Sequence, residues 1–311
     1  MANRSRFDVV GVGCCAFDIV TEVDAVPGPD DKVPVRALRT QGGGLVATGL
    51  VAAARLGGRC AYLGALGDDQ FSQFCVDDFD REGVETRFIR RVPGASVITS
   101  LIVACPAGGT RMILAACDEA AVAVPEDVPA EVVRSARVLH VDNFQPEAAV
   151  HAARTAREAG VPVVMDLEGL GRGVEELLPL GTHVIVPAEF ARRRYGTAGL
   201  EDGARALWEE IAPCGAAAAV ATGGAEGSFA VWKGGELRQA AYRVPVVDTT
   251  GCGDVFHGAF AYGLSQGWEL ARILPFAAAT AALKCRQLGG RAGIPRGDEV
   301  GAFLASAGAA E

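Results

Sequence analysis

The stretch Arg137–Leu167, RVLHVDNFQPEAAVHAARTAREAGVPVVMDL, decides the fold. An apolar run, RVLHVDNF, gives way to an Ala-, Arg- and Glu-rich helical segment, PEAAVHAARTAREAG, and a second apolar run, PVVMDL, follows directly. The same alternation begins near residue 126 and continues through HVIVPA and AAAAVATGG. Apolar strands separated by amphipathic helices of roughly 10 to 15 residues indicate βαβ units around a parallel sheet, hence an α/β protein. Ligands of such sheets bind beyond the carboxyl ends of the strands, so the loops that follow strands are the candidate site.

Upstream the pattern is less regular. RFDVVGVG reads as the first strand, and DIVTEVDAVPG and KVPVRALRTQGGG as short strands and turns. GLVAAARLGG, from Gly49, has helix content and ends in Gly57-Gly58. CAYLGALGDD is a strand and turn, FSQFCVDDFDREG a helix, and ASVITSLIVAC with TRMILAAC a hairpin. No linker or charge block divides the 311 residues, so one domain spanning 1–311 with a small appendage is expected.

Half the residues are hydrophobic, enough for a sizeable core, and the net charge is −9. That charge argues against nucleic acid or an anionic membrane as partner. An anionic ligand would have to be held locally, by backbone amides, a helix end, a metal or a few Arg and Lys. The N-terminal apolar run is too short to span a membrane and carries no cleavage site, so a cytoplasmic protein is expected. Nine cysteines without a CxxC pair, and only four histidines, argue for reduced thiols and against a structural zinc.

Several loops stand out after strands. GVGCCA fits G-x-G-x-x-A, yet the following FDIVTEV alternates like a strand and supplies no helix N-terminus for a pyrophosphate, which weighs against a dinucleotide site. No G-x-x-x-x-G-K-[ST] occurs. Asp18, past the first strand, is either a turn residue or an acceptor for polyol hydroxyls. Gln41-Gly42-Gly43-Gly44 before a helix is either a flexible loop or a close approach of backbone to ligand. Thr222, Gly224 and Gly227 in AVATGGAEGSFAV are either a hairpin or a platform for a nucleotide. In DTTGCGDVFHGAF, Asp248 to Phe260, small residues leave the first amides of a helix bare beside Asp254 and form an anion site.

DTTGCGDVFHGAF resembles the D-T-x-G-A-G-D signature of the PfkB/ribokinase family of carbohydrate kinases. The glycine loop with its AAARLG helix, YLGALGDDQF and VATGGAEG resemble three further family segments, in the same order over roughly residues 10 to 295. The resemblance implies a three-layer α/β/α fold with a mostly parallel sheet and a small β-sheet lid, near residues 19–40 and 95–118, that often pairs across a homodimer. It implies a cytoplasmic ATP- and Mg2+-dependent kinase acting on a small sugar.

Asp254 would be the general base, and Gly251, Cys252 and Gly253 would supply amides to the transferring phosphoryl. Asp18, Gly43, Gly44, Thr48 and Asn143 would line the sugar site, with Lys32 reaching from the lid. Thr222, Gly224, Glu226 and Gly227 would lie along ATP. Asp248 and Thr250 match positions near which some members bind a monovalent cation, so K+ is expected there. Two departures are visible: Thr48 stands where Asn is usual, and the N-x-x-E segment associated with magnesium has Pro187 and Phe190, leaving Glu189 one residue away as its substitute.

Motifs including GGGLVATGLVAAARLGG and AALKCRQLGGRAGIP are most similar to the sulfofructose kinase branch. A sulfonate needs convergent cationic donors, however, and the sequence favours an unmodified ketohexose or pentose. A nucleoside kinase, a sulfofructose kinase and a non-catalytic sugar-binding regulator are the alternatives.

Overall fold

A computed structural model describes residues 7–105 and 110–308. The first half contains β1 (Val9–Val12), β2 (Ala16–Glu22), β3 (Ala37–Gly43), α1 (Leu45–Arg55), β4 (Cys60–Tyr62), β5 (Gly64–Gly67), α2 (Gln70–Glu82), β6 (Val84–Glu85), β7 (Ile89–Val92), β8 (Ile98–Cys105) and β9 (Thr110–Ala116). Then come α3 (Ala130–Arg134), β10 (Val138–Asp142), α4 (Pro146–Glu158), β11 (Val163–Asp166), α5 (Val174–Leu177), β12 (His183–Pro187), α6 (Ala188–Tyr195), α7 (Leu200–Ile211) and β13 (Ala218–Thr222). A hairpin of β14 (Ser228–Trp232) and β15 (Gly235–Gln239) precedes α8 (Cys252–Ser265), α9 (Leu270–Lys284) and α10 (Gly297–Gly308). None of the described helices is long and apolar enough to cross a membrane.

The main sheet has nine strands in the order β15-β14-β13-β12-β11-β10-β1-β4-β6. It is parallel except at β13-β14 and β14-β15. Alternating side chains feed two cores: Val9, Val138, Val164, Ile185 and Val220 pack with α1, α8 and α9, whereas Val10, Leu139, Met165, Val184 and Ala219 face the layer containing α4 and α7. Each buried Val or Leu contributes about 1.5–3 kcal/mol, which is why strands covered on both faces read as unbroken apolar runs. The expected three-layer architecture is observed.

A four-stranded sheet, β3-β2-β8-β9, forms the appendage. Asp18 pairs in register with Gln41 on one side and Ser100 on the other, so these three side chains share a face. Ser100 pairs with Ala115 and Ala104 with Arg111, which puts Arg111 on that face too. The opposite face exposes Leu38, Leu101, Met112 and Leu114. The expected segment 95–118 includes residues 106–109, which lie outside the described residues.

Three expectations need correction. The glycine-loop helix starts at Leu45, one turn before Gly49, because Gly44 (φ 89°) turns the chain directly into it. YRVPVVDTT forms no ladder: its Val247 and Asp248 amides bond instead to the Cys285 carbonyl, at 2.8 and 3.1 Å. α8 begins at Cys252 and not at Asp254, after Gly251 (φ 74°).

α1 and α8 touch backbone to backbone. A Cβ on Gly258 would fall on the Gly49 carbonyl, and one on Gly49 would lie 2.7 Å from His140 Nε2 and 3.3 Å from the Asp254 carbonyl oxygen.

Candidate functional site

Asp18 is buried on β2, with its cross-strand partners Ser100 and Gln41 beside its carboxylate. Burial raises its pKa, while the guanidinium of Arg291 and those two partners work in the opposite direction. Gly43 lies directly against the carboxylate, so a Cβ there would overlap it. Gly44 supplies the tight entry to α1, and a Cβ on it would press on the Cys14 carbonyl.

Arg291, which sequence reasoning missed, organises this side. It is 4% exposed and donates from Nε to Thr48 Oγ1 (3.2 Å), from Nη1 to Asp78 Oδ2 (2.6 Å) and from Nη2 to the Gly43 carbonyl (2.8 Å). Thr48, the departure from the family pattern, is thus buried and engaged by an arginine. Asp142, also missed, is a second organiser: Oδ2 accepts from the amides of Cys14 (2.7 Å) and Val46 (3.3 Å), and Oδ1 from that of Phe144 (2.9 Å). Burial pushes its carboxyl up to about 6, although these amides oppose the shift. Asn143, next to it, is half-buried and donates to the Arg172 carbonyl at 3.4 Å. Lys32 sits exposed in the loop between β2 and β3, away from any strand of the small sheet.

Across the carboxyl edge lies the Gly251–Asp254 turn. Cys252 N–H bonds back to the Thr249 carbonyl (3.2 Å) and Val255 N–H to the Gly251 carbonyl (3.0 Å). The amides left without a described backbone acceptor, and so free to meet an anion, are those of Gly251, Gly253 and Asp254, and not that of Cys252. Asp254, in the first helical turn, has its carboxyl raised by burial, by Glu168, by Cys252 and by Asp18. Burial is the largest of these causes, and the ammonium of Lys284 works against them.

Those carboxylates form a group. Asp166 ends β11 fully buried, and neither oxygen has a hydrogen bond, with His257 Nδ1 standing 3.3 Å from Oδ2 while it serves the Gly253 carbonyl at 2.8 Å. Glu168 follows, also raised by burial and opposed by Arg111. Arg111 reaches from the small sheet to Thr249, its Nη1 3.3 Å from Oγ1. Asp166, Glu168 and Asp254 thus raise one another's charge cost near the free amides of the turn, with Arg111 the described cation that offsets Glu168.

Thr222 ends β13, and Gly224 (φ 56°), Glu226 and Gly227 (φ 88°) form the turn into β14. The hairpin and platform readings are therefore compatible: the turn is a hairpin and lies exposed at the carboxyl edge. Glu189, half-exposed at the start of α6, is ion-paired to Arg192 on its own helix, Nε donating at 2.9 Å. Phe190 is fully buried in the core. Asp248 Oδ1 accepts from Thr250 N (2.9 Å) and Oγ1 (2.7 Å), Oδ2 accepts from Gly289 N (2.8 Å), and Lys284 Nζ donates to the Asp248 carbonyl (3.0 Å).

The DLE at the end of β11 and the lone lysine closing an alanine-rich helix were readable signals for Asp166, Glu168 and Lys284. Arg291 and Arg111 had none, since their partners lie hundreds of residues away or across a sheet.

The family model of the pfkB family carbohydrate kinases matches residues 6–296. The chain is 30% identical to the aminoimidazole riboside kinase of Salmonella typhimurium, over 91% of this chain and 92% of that protein. It is 29% identical to the ATP-dependent ribose-1-phosphate kinase of Halopiger xanaduensis, over 95% and 97%. A solved candidate ribokinase from Agrobacterium tumefaciens superposes with a TM-score of 0.89 at 26% identity, covering 96% of this chain and 97% of that one.

Proposed function

The chain belongs to the pfkB family of carbohydrate kinases, and on that premise we propose that it transfers the γ-phosphoryl of ATP to a hydroxyl of a small sugar, a ketohexose or pentose, with Asp254 as general base. That it is a sugar-kinase phosphotransferase follows from the family; nucleotide, sugar and residue roles are the proposal. The observation that carries it is the placement of Asp254 beside bare helix amides and near enough to Asp18 for that carboxylate to raise its pKa.

On this reading Asp18 and Asn143 hold sugar hydroxyls, with Gly43 leaving room for the Asp18 carboxylate and Gly44 turning the chain into α1. Gly251, Gly253 and Asp254 amides receive the transferring phosphoryl, and Thr222, Gly224, Glu226 and Gly227 run along the nucleotide. In a loose transition state the hydroxyl proton moves late, so an Asp positioned to accept it suffices. Arg111, already at Thr249, brings a positive charge from the small sheet and makes that sheet a lid.

Magnesium fits this chain. It is usually held by one or two carboxylates plus phosphate oxygens, and Asp166 with its orphaned oxygens and Glu168 supply them. When bound, magnesium neutralises charge on the phosphates. Glu189 is the poorer candidate, being paired to Arg192. The apolar outer face of the lid, Leu38, Leu101, Met112 and Leu114, is assigned to a second copy, which light scattering in solution checks.

An ADP-release assay with magnesium over ketohexoses, pentoses, sulfonated sugars and nucleosides tests the reading. Turnover of a ketohexose or pentose is expected; preference for a nucleoside, or sugar binding without turnover, would sink it.

A further inference from the structure

Lys284 closes α9 with its side chain completely buried. A buried ammonium is costly unless paired, so its partners indicate its purpose. Nζ donates to the Asp248 carbonyl at 3.0 Å. Asp248, Cys252 and Asp254 face it from the turn and the start of α8, and Cys285 from its own helix end, where the C-terminal dipole also favours a cation.

The chain before Gly251 has no sheet neighbour to fix it. It is held by the Cys285 carbonyl, by the Gly289 amide on Asp248, and by this ammonium. Behind it a Cβ on Gly251 would lie 2.9 Å from Gly290 Cα, so the turn rests directly on the segment that follows α9.

The residues expected to hold an exchangeable monovalent cation do not fit one. Such an ion replaces its hydration shell with several carbonyl, hydroxyl or carboxylate oxygens. The Asp248 carbonyl already accepts from Lys284, the Thr250 hydroxyl is turned onto Asp248 as a donor, and both Asp248 oxygens accept from amides. We propose that Lys284 is a built-in monovalent cation, a positioning residue whose ammonium holds the Asp248–Gly253 turn in its anion-binding form, so that the kinase works without potassium.

The activity arm of the test rests on the proposed function; the stability arm does not. Thermal unfolding of the wild type is compared in potassium, sodium and tetramethylammonium chloride at one ionic strength, together with Lys284→Ala and Lys284→Met. The wild-type Tm should be the same in all three salts, and that of Lys284→Ala lower and raised selectively by potassium. In the ADP-release assay the wild type should be indifferent to the cation, while Lys284→Ala should lose about tenfold or more and recover with potassium or ammonium, a rescue that lost packing alone cannot give. A wild-type Tm raised specifically by potassium, a wild type stimulated about tenfold by it, or a Lys284→Ala enzyme fully active without added cation would each overturn the proposal. If Lys284→Ala does not fold, the wild-type salt comparison decides. If no sugar is turned over, the functional reading fails and the Tm comparison still stands.

Discussion

The two sides of the site are made of different material. The side proposed for the sugar is built from buried side chains, Asp18 beside Gln41 and Ser100, and Arg291 bonded to Asp78, Thr48 and Gly43. The side proposed for phosphate and nucleotide is built from backbone, the Gly251, Gly253 and Asp254 amides and the exposed Gly224–Gly227 turn. A pocket of interlocked side chains fixes which hydroxyls are read, whereas a backbone cradle suits a phosphate that every reaction shares. The difference teaches that substitutions should hit stability and sugar recognition on one side, and mainly rate on the other.

The largest effect is expected where the sides meet. Asp254→Asn should lower kcat by about 10²- to 10⁴-fold with both KM values nearly unchanged, measured by steady-state ADP release; a loss within threefold would assign the base elsewhere. Next, Arg291→Ala removes the buried partner of Asp78 and leaves it only the exposed Arg81. It should cost about 3–5 kcal/mol in urea unfolding and raise KM for sugar more than for nucleotide. A similar rise in both KM values would erase the contrast between the sides.

A pair of glycines sharpens it further. Gly43→Ala drives a methyl into Asp18 and should lower kcat/KM for sugar by about tenfold or more. Gly224→Ala meets no atom within 4 Å and only strains a left-handed residue, so it should cost about 1–2 kcal/mol of stability and leave sugar kinetics intact.

The smallest effect concerns pH. If sugar binds the ionised form of Asp18, as proposed, then kcat/KM should be full above the pKa of that group, which burial raises against the pull of Arg291, and fall as pH drops through it. Arg291→Gln removes the opposing charge and should move this acid limb to higher pH. The limb of kcat, which follows Asp254 with sugar bound, should stay where it was.

This division also explains what was legible. Backbone features announce themselves through glycine spacing and apolar periodicity, so the parallel sheet, the small sheet, the Gly-Cys-Gly turn and the Thr222 hairpin were readable. Side-chain partnerships leave no local pattern: Arg291 and Thr48 are remote in sequence, and Asp142 binds amides from two distant segments. The expected strand over YRVPVVDTT failed for the converse reason, since an extended apolar run shows its period but not whether a neighbouring strand exists. Glu189 stands beside a motif yet pairs with Arg192, while the DLE that marks Asp166 in the sequence does not show that its oxygens lack hydrogen bonds.

The contact of Gly49 with Gly258 sets a gauge for the whole reaction. One helix begins at the glycine loop proposed for the sugar, the other at the turn proposed for the phosphoryl group, and no side chain separates them where they cross. The span between acceptor and donor is thus a fixed dimension of the scaffold, present before either substrate arrives. A bulkier sugar finds no slack along that axis, and the small sheet above is the wall left to give way to it.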